Sequence, residues 1–205
     1  MMQNILEIFQ KGGPIMWPLL ACSLVALTTV FERLLFVISD FFKRETAVLE
    51  KVLGLVERSQ WAEAEAAAQA SRDPIARVLA AGLEMRASAL TATLQRAAEQ
   101  CLQSYARGLT VLDTIITAAP LLGLLGTVTG MIHAFSLIGN SELGAPGAIT
   151  GGIAEALIAT CFGLSIAIVA LFPFNYLHAR LERVRHRLQD ACTAIEIAAK
   201  SLPQH

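Results

Sequence analysis

Between Asp113 and Glu142 the sequence runs for 28 residues without an Asp, Glu, Lys or Arg. A helix needs roughly 20 apolar residues to cross a bilayer, so this stretch alone restricts the chain to folds that place it in lipid or bury it on every side. A second such stretch follows at once. Between Glu142 and Arg180 the single charged residue is Glu155. A third run, Ile15 to Phe31, holds seventeen uncharged residues, is interrupted by Glu32-Arg33, and resumes from Leu34 to Ser39. It reaches span length if it tilts, or if Glu32 and Arg33 snorkel toward the interface. Composition agrees: 55% of residues are hydrophobic and 16% charged, where soluble domains carry about 25% charge. The expected fold is an all-α integral membrane protein with three transmembrane helices.

Composition excludes several functions. The net charge is −1, so no basic field points to nucleic acid, and two Trp and two Tyr make no base-stacking platform. The four cysteines, at 22, 101, 161 and 192, form no CxxC or Cys/His spacing, and no metal site or disulfide framework is expected. No Gly-rich loop ends in Lys-Ser/Thr, so nucleotide energy has no entry here. Ser136 stands three residues from His133, but no oriented acid or oxyanion site accompanies them. Neither an enzyme nor a cofactor is expected.

Positive charge orients the spans. Residues 40–112 hold nine Lys and Arg, and the tail holds Arg180, Arg183, Arg185, Arg187 and Lys200. The short stretch 139–147 holds none, and the N-terminal segment has only Lys11. Since Lys and Arg collect on the cytoplasmic side, the layout follows. Residues 1–14 lie outside, 15–39 span, and 40–112 form a cytoplasmic helical region. Residues 113–138 span, 139–147 form an external loop, 148–178 span, and 179–205 form a cytoplasmic helix. With so thin a positive N-terminal region and no clear small-residue cleavage site, the first run reads as a span, not a cleaved signal. The Arg180–Arg187 cluster reads equally well as a contact for anionic lipid headgroups or as a solvated helix face.

The cytoplasmic stretches also read as helical. Trp61–Ala70 is rich in Ala and Glu. Asp73-Pro74 supplies an N-cap followed by a first-turn proline. From Thr91 to Ile138 only Pro120 interrupts a helical pattern, which suggests one long helix of roughly 70 Å. Leu181, Val184, Leu188, Ala191 and Ile195 recur at spacings of three and four, a helical stripe continuing the third span.

Glu155 is the residue most costly to explain. An acid inside a span costs about 2.5–3.5 kcal/mol on insertion scales. Low-dielectric burial favours the neutral form of a carboxyl, so such a group can take a proton from one side and release it to the other. The competing reading is a hydrogen-bonded acid that joins helices. If spans two and three form a hairpin turning near residue 144, Thr127 and Thr160 lie at matching depth, deeper than Glu155. Their hydroxyls either hold water and relay protons or bond their own helix backbones. His133 falls at about the depth of Glu155, where it either extends a proton path outward or packs at an interface.

Small residues mark the packing surfaces: Gly123, Gly126 and Gly130 on the second span; Gly152, Ala156, Ala159, Gly163, Ala167 and Ala170 on the third. Such residues let helices approach closely where lipid supplies no hydrophobic drive. Three spans are too few to wall a pore, so cyclic assembly of several copies is the natural closure. One acid per chain is also an incomplete proton path, and a second chain is expected to supply the next acceptor.

The segments AAPLLGLLGTVTGMIHAF (118–135) and GGIAEALIATCFGL (151–164), with GGPIMWPLL (12–20) and Phe31-Glu32-Arg33-Leu34 near the N-terminus, resemble the MotA/TolQ/ExbB proton channel family. The resemblance is to its ExbB/TolQ branch, since MotA-like stators have four spans. It implies a homopentameric ring in the bacterial inner membrane, in contact with membrane lipids, around the single spans of two ExbD/TolR-like partners. The ring-lining acid falls on Glu155, the polar lumen threonines on Thr127 and Thr160, and the proline of the second span on Pro120, where a helix kink is expected. The implied function is to spend the proton-motive force on a TonB- or TolA-like protein for outer-membrane transport or envelope maintenance. The rival class is a non-conducting membrane scaffold in which Glu155 is structural. A solute exporter fits poorly, because no inverted repeat is visible.

Overall fold

The computed structural model describes residues 7, 9–86, 88–139 and 146–200. Among them there are helices and turns and no strand. The helices are α1 Met16–Lys43, α2 Thr46–Glu57, α3 Trp61–Ala70, α4 Pro74–Glu84, α5 Leu90–Ala106, α6 Leu109–Gly139 and α7 Pro146–Lys200. Three stretches, in α1, α6 and α7, are long and apolar enough to cross a membrane, so the protein is an all-α membrane protein as the charge pattern requires. Most of the loop expected at 139–147, residues 140–145, lies outside the described residues. The chain divides into two compact units: residues 1–32 with 108–176, and residues 33–107 with 177–205.

In the first unit α6 and α7 touch at the level of their backbones. Gly163 faces Ala119 and Gly123, Gly126 faces Ala159, Gly130 faces Ala156, and Gly152 faces Ala134. A Cβ on Gly163 would stand 2.5 Å from the Ala119 carbonyl oxygen, and one on Gly152 would stand 2.7 Å from the Ala134 Cβ. Gly123, Gly126, Gly130, Gly152, Ala156, Ala159 and Gly163 lie in this contact, whereas Ala170 lines the cavity against α1. The pairs run in opposite directions along the two helices, so α6 and α7 are antiparallel, centred close to the expected midpoint. α1 runs parallel to α7. Gly13, just ahead of α1, lies against Glu155. Further along, Ser23, Ala26 and Val30 face Ser165, Val169 and Pro173 across a cavity of about 270 Å³. The outer surface is apolar: Leu121, Leu124, Ile132 and Phe135 of α6 and Leu157, Ile168, Val169 and Phe172 of α7 are each more than half exposed. Water would oppose that exposure by about 25 cal/mol per Å², whereas lipid tails do not.

The second unit is built from side chains. Leu49, Val52 and Val56 of α2, Ala64 and Ala68 of α3, Ile75, Leu79 and Leu83 of α4, and Leu94 of α5 are buried. So is the whole stripe Leu181, Val184, Leu188, Ala191 and Ile195 of α7. Trp61–Ala70 is helical as its composition predicts, and Asp73 caps α4 with Pro74 in its first turn. Asp73 does more than cap. Its Oδ1 accepts from the Ile75 N–H at 2.8 Å and its Oδ2 from the Glu45 N–H at 3.1 Å, while Ser71 Oγ donates to Glu45 Oε2 at 2.8 Å. The turn before α2 is thereby tied to the turn before α4.

Three expectations need correction. The helix expected to run unbroken from 91 to 138 is interrupted at Arg107-Gly108, where Gly108 takes φ +79°. A single glycine after a helical stretch is a stop signal when it adopts the left-handed conformation, and only Gly does so without strain. Arg33 does not snorkel: it is 4% exposed, its Nη1 donates to the Ser104 carbonyl at 3.0 Å, and its guanidinium lies 5.1 Å from the centre of the Phe36 ring. Arg180 is on neither a solvated face nor a lipid contact. It is 6% exposed and ion-paired with Asp40. In both cases a buried guanidinium persists because it meets an acceptor, without which its desolvation would go uncompensated.

Candidate functional site

α7 carries the candidate site because its periodicity separates two faces. Gly152, Ala156, Ala159 and Gly163 point at α6. Ala156 and Ala159, together with Ala134 of α6, are buried and close that contact. Glu155 precedes Ala156 by one residue, about 100° around the helix. Its side chain therefore leaves the α6 contact and turns toward the segment leading into α1. It is neither fully buried nor fully exposed. Its Oε1 stands 1.8 Å from the place a Cβ of Gly13 would take, so the carboxyl is in van der Waals contact with the Gly13 backbone. Gly12 meets Ile158, one helical turn along the same face of α7.

The two threonines are engaged separately. Thr160 Oγ1 donates across to the Gly123 carbonyl of α6 at 2.8 Å. Thr127 Oγ1 donates to the Leu124 carbonyl of its own helix at 2.6 Å. A hydroxyl has one proton to donate, so both donors are spent on carbonyls and the free capacity of each is as an acceptor. Thr127 opens onto a shallow groove with Val128, Met131, Ile132, Phe135 and Ser136. No hydrogen bond joins Glu155 to either threonine among the described residues. His133 is exposed on α6, and its neighbour Ala134 is the residue that turns into α7. The group met by the Glu155 carboxyl is thus Gly13, not His133.

Pro120 lies inside α6, which continues through it. Proline has no N–H, so the Ile116 carbonyl loses its usual partner. Ala119 and Gly123, on either side of Pro120, both meet Gly163 of α7.

The residue that sequence reasoning overlooked is Gly13. Its signal was present in Gly12-Gly13-Pro14, a turn sequence directly before a span, but nothing in the sequence pairs it with position 155. Also overlooked was a buried polar group in the second unit. Asp40, 4% exposed, accepts hydrogen bonds from the Tyr105 hydroxyl and the Arg180 guanidinium, and Arg44 Nε lies 3.5 Å away. Phe36 packs edge-on against Tyr105 with ring centres 5.2 Å apart. Burial and the bond to Asp40 push the Tyr105 phenol far up from its ordinary value, and burial, helped by Asp40 and Asp73, pushes the Cys101 thiol up to about 11. Tyr105 and Cys101 therefore stay neutral at ordinary pH, which suits a structural core and not a reactive site.

The family model described as "MotA/TolQ/ExbB proton channel family" matches residues 70–190, a stretch that contains α6 and Glu155 but not Gly13. Among curated proteins, the chain is similar to putative biopolymer transport protein ExbB-like 1 of Synechocystis, at 38% identity over 85% of this chain and 70% of the relative. It is similar to ExbB-like 3 of the same organism at 34% identity, over 91% of this chain and 90% of the relative. The biopolymer transport protein ExbB of Neisseria gonorrhoeae is 38% identical over 43% of this chain and 40% of the relative.

Proposed function

Because the chain belongs to the ExbB/TolQ branch of the MotA/TolQ/ExbB proton channel family, we propose that it is the ring-forming subunit of a proton-driven membrane motor. In this reading five copies enclose the single spans of two ExbD/TolR-like chains in the bacterial inner membrane. The N-terminus and the α6–α7 connection face outward, and the end of α7 faces the cytoplasm. The motor passes proton-motive force to a TonB- or TolA-like protein, for biopolymer transport or envelope maintenance. The observation that carries the proposal is Glu155: one acid in a span otherwise free of Asp, Glu, Lys and Arg between Glu142 and Arg180, its carboxyl turned away from the α6 contact.

The steps assigned to this chain are few. Glu155 receives a proton from the outer side. An acidic side chain of the partner takes it onward as ring and partner rotate. Thr160 holds α7 to α6 through the Gly123 carbonyl, and Thr127 offers an acceptor to water along the groove. For either hydroxyl to hand on a proton, it must first rotate off its carbonyl. The threonines therefore line the route and Glu155 carries the charge.

The test is proton flux into liposomes holding the full chain with its partner. Replacing Glu155→Gln or Glu155→Ala is expected to lower flux by about a hundredfold, the scale on which positioned proton-transfer groups act, with the ring still assembled. The scaffold reading predicts no partner-dependent flux in the native protein and tolerance of Glu155→Gln. Full energised activity in Glu155→Ala would overturn the motor reading.

A further inference from the structure

The turn before α1 is wedged onto the α6–α7 pair at three points. A Cβ on Gly12 would stand 3.1 Å from Ile158 Cγ2, a Cβ on Gly13 would overlap the Glu155 carboxyl, and Ile15 Cγ2 lies 2.9 Å from where a Gly126 Cβ would be. Gly13 also has φ +72°, and its carbonyl accepts from the Met16 N–H at 3.2 Å, which starts α1. Two demands thus meet at one residue. The left-handed backbone alone would admit Asn or Asp at moderate cost. The space alone would admit any residue that could turn its side chain elsewhere, but a Cβ direction is fixed by the backbone, and that direction is filled by Oε1 of Glu155.

We propose that Gly13 is a positioning residue for Glu155: its bare Cα is the wall against which the carboxyl rests, and it fixes which way that carboxyl faces. The inference rests on Glu155 as the proton-carrying group and deepens that reading. A carboxyl that must meet a moving partner acid at one place gains from a wall on its opposite side. The wall belongs to the segment that starts α1 and not to α6 or α7, so any displacement of the N-terminal segment reaches the proton site through one contact.

The experiment introduces Gly13→Ala into the full chain in lipid nanodiscs in three backgrounds: native, Glu155→Gln and Glu155→Ala. Gln has the shape of Glu and keeps the clash, whereas Ala removes it and leaves only the backbone strain. The carboxyl is the end of a flexible side chain and can swing aside, so the thermal midpoint is expected to fall only modestly further in the first two backgrounds than in the third. A Gly13→Ala chain that folds only together with Glu155→Ala supports the proposal equally. In the native background, labelling of Glu155 by dicyclohexylcarbodiimide is expected to rise several-fold, because the added methyl drives the carboxyl out from the turn. An equal fall of the midpoint in all three backgrounds, or failure to fold in all three, overturns the proposal, as does unchanged labelling. If instead the cycle is non-additive while Glu155→Gln leaves proton flux intact, the positioning role stands and the motor reading falls.

Discussion

The two units are held together by opposite means. The first coheres where side chains are missing: Gly163 against Ala119 and Gly123, Gly130 against Ala156, Gly13 against Glu155. Large apolar residues such as Leu121, Leu124, Ile132, Phe135, Leu157 and Phe172 point outward. The second coheres where side chains are present, through a Leu, Val and Ile core and a buried ionic group at Asp40. The difference follows from the surroundings each can exploit. Apolar side chains gain nothing by leaving lipid for one another, so close backbone approach and cross-helix bonds such as Thr160 to Gly123 carry the contact. The second unit packs instead as a side-chain core, where burying a Leu or Val side chain contributes about 1.5–3 kcal/mol relative to leaving it in water.

The sharpest break in this contrast lies in the second unit. Asp40→Ala removes the carboxylate that Arg180 and Arg44 share and the acceptor of Tyr105. A cost of about 3–5 kcal/mol is expected, as for a buried pair that loses one partner, read as loss of amide-exchange protection across α2–α5. The double replacement Asp40→Leu with Arg180→Met is expected to recover much of it, since apolar side chains of similar volume then replace both buried charges. If the double variant is as unstable as the single, the ionic group has a role beyond satisfying its own charges.

Next in size is one methyl group in the first unit. Gly163→Ala places a Cβ 2.5 Å from a backbone oxygen that has no rotamer to change, so the helices must separate. About 2–3 kcal/mol is expected for such overpacking, read as a lower unfolding midpoint in nanodiscs. A variant as stable as the native protein would show that α6 and α7 are not bound at the backbone level, and the contrast between the units would fail.

The contrast was only half legible in the sequence. The spans were, because charge-free runs of that length have few other uses, and so was the α6–α7 contact, because small residues repeat on both helices at helical spacing. The stripe from Leu181 to Ile195 and the Asp73-Pro74 cap were local patterns and needed no tertiary knowledge. What escaped were pairings between distant residues. Asp40 with Arg180 and Tyr105, Arg33 with Ser104, and Gly13 with Glu155 each join positions more than 60 residues apart, and no periodicity marks them. Counting Arg180 with the charges that mark a membrane face was reasonable from its neighbours, yet a charge is placed by its partner as well as by its flank. Gly108 escaped for a different reason. An isolated glycine in a helical pattern is either tolerated or a stop, and only its φ decides.

The smallest effect repeats the Gly163 substitution in the other unit, with the sign reversed. Gly54 lies inside α2, and a Cβ built there meets nothing within 4 Å. No close approach requires this glycine, so what remains is its entropy cost in a helix interior. Gly54→Ala is expected to stabilise the second unit by about 1 kcal/mol, seen as slower amide exchange in α2 and a slightly higher midpoint. One methyl group then breaks a contact in one unit and strengthens a helix in the other, although the local sequence change is the same. Should Gly54→Ala destabilise by as much as Gly163→Ala, α2 must carry a close contact made by another chain, and the second unit would share the packing rule of the first.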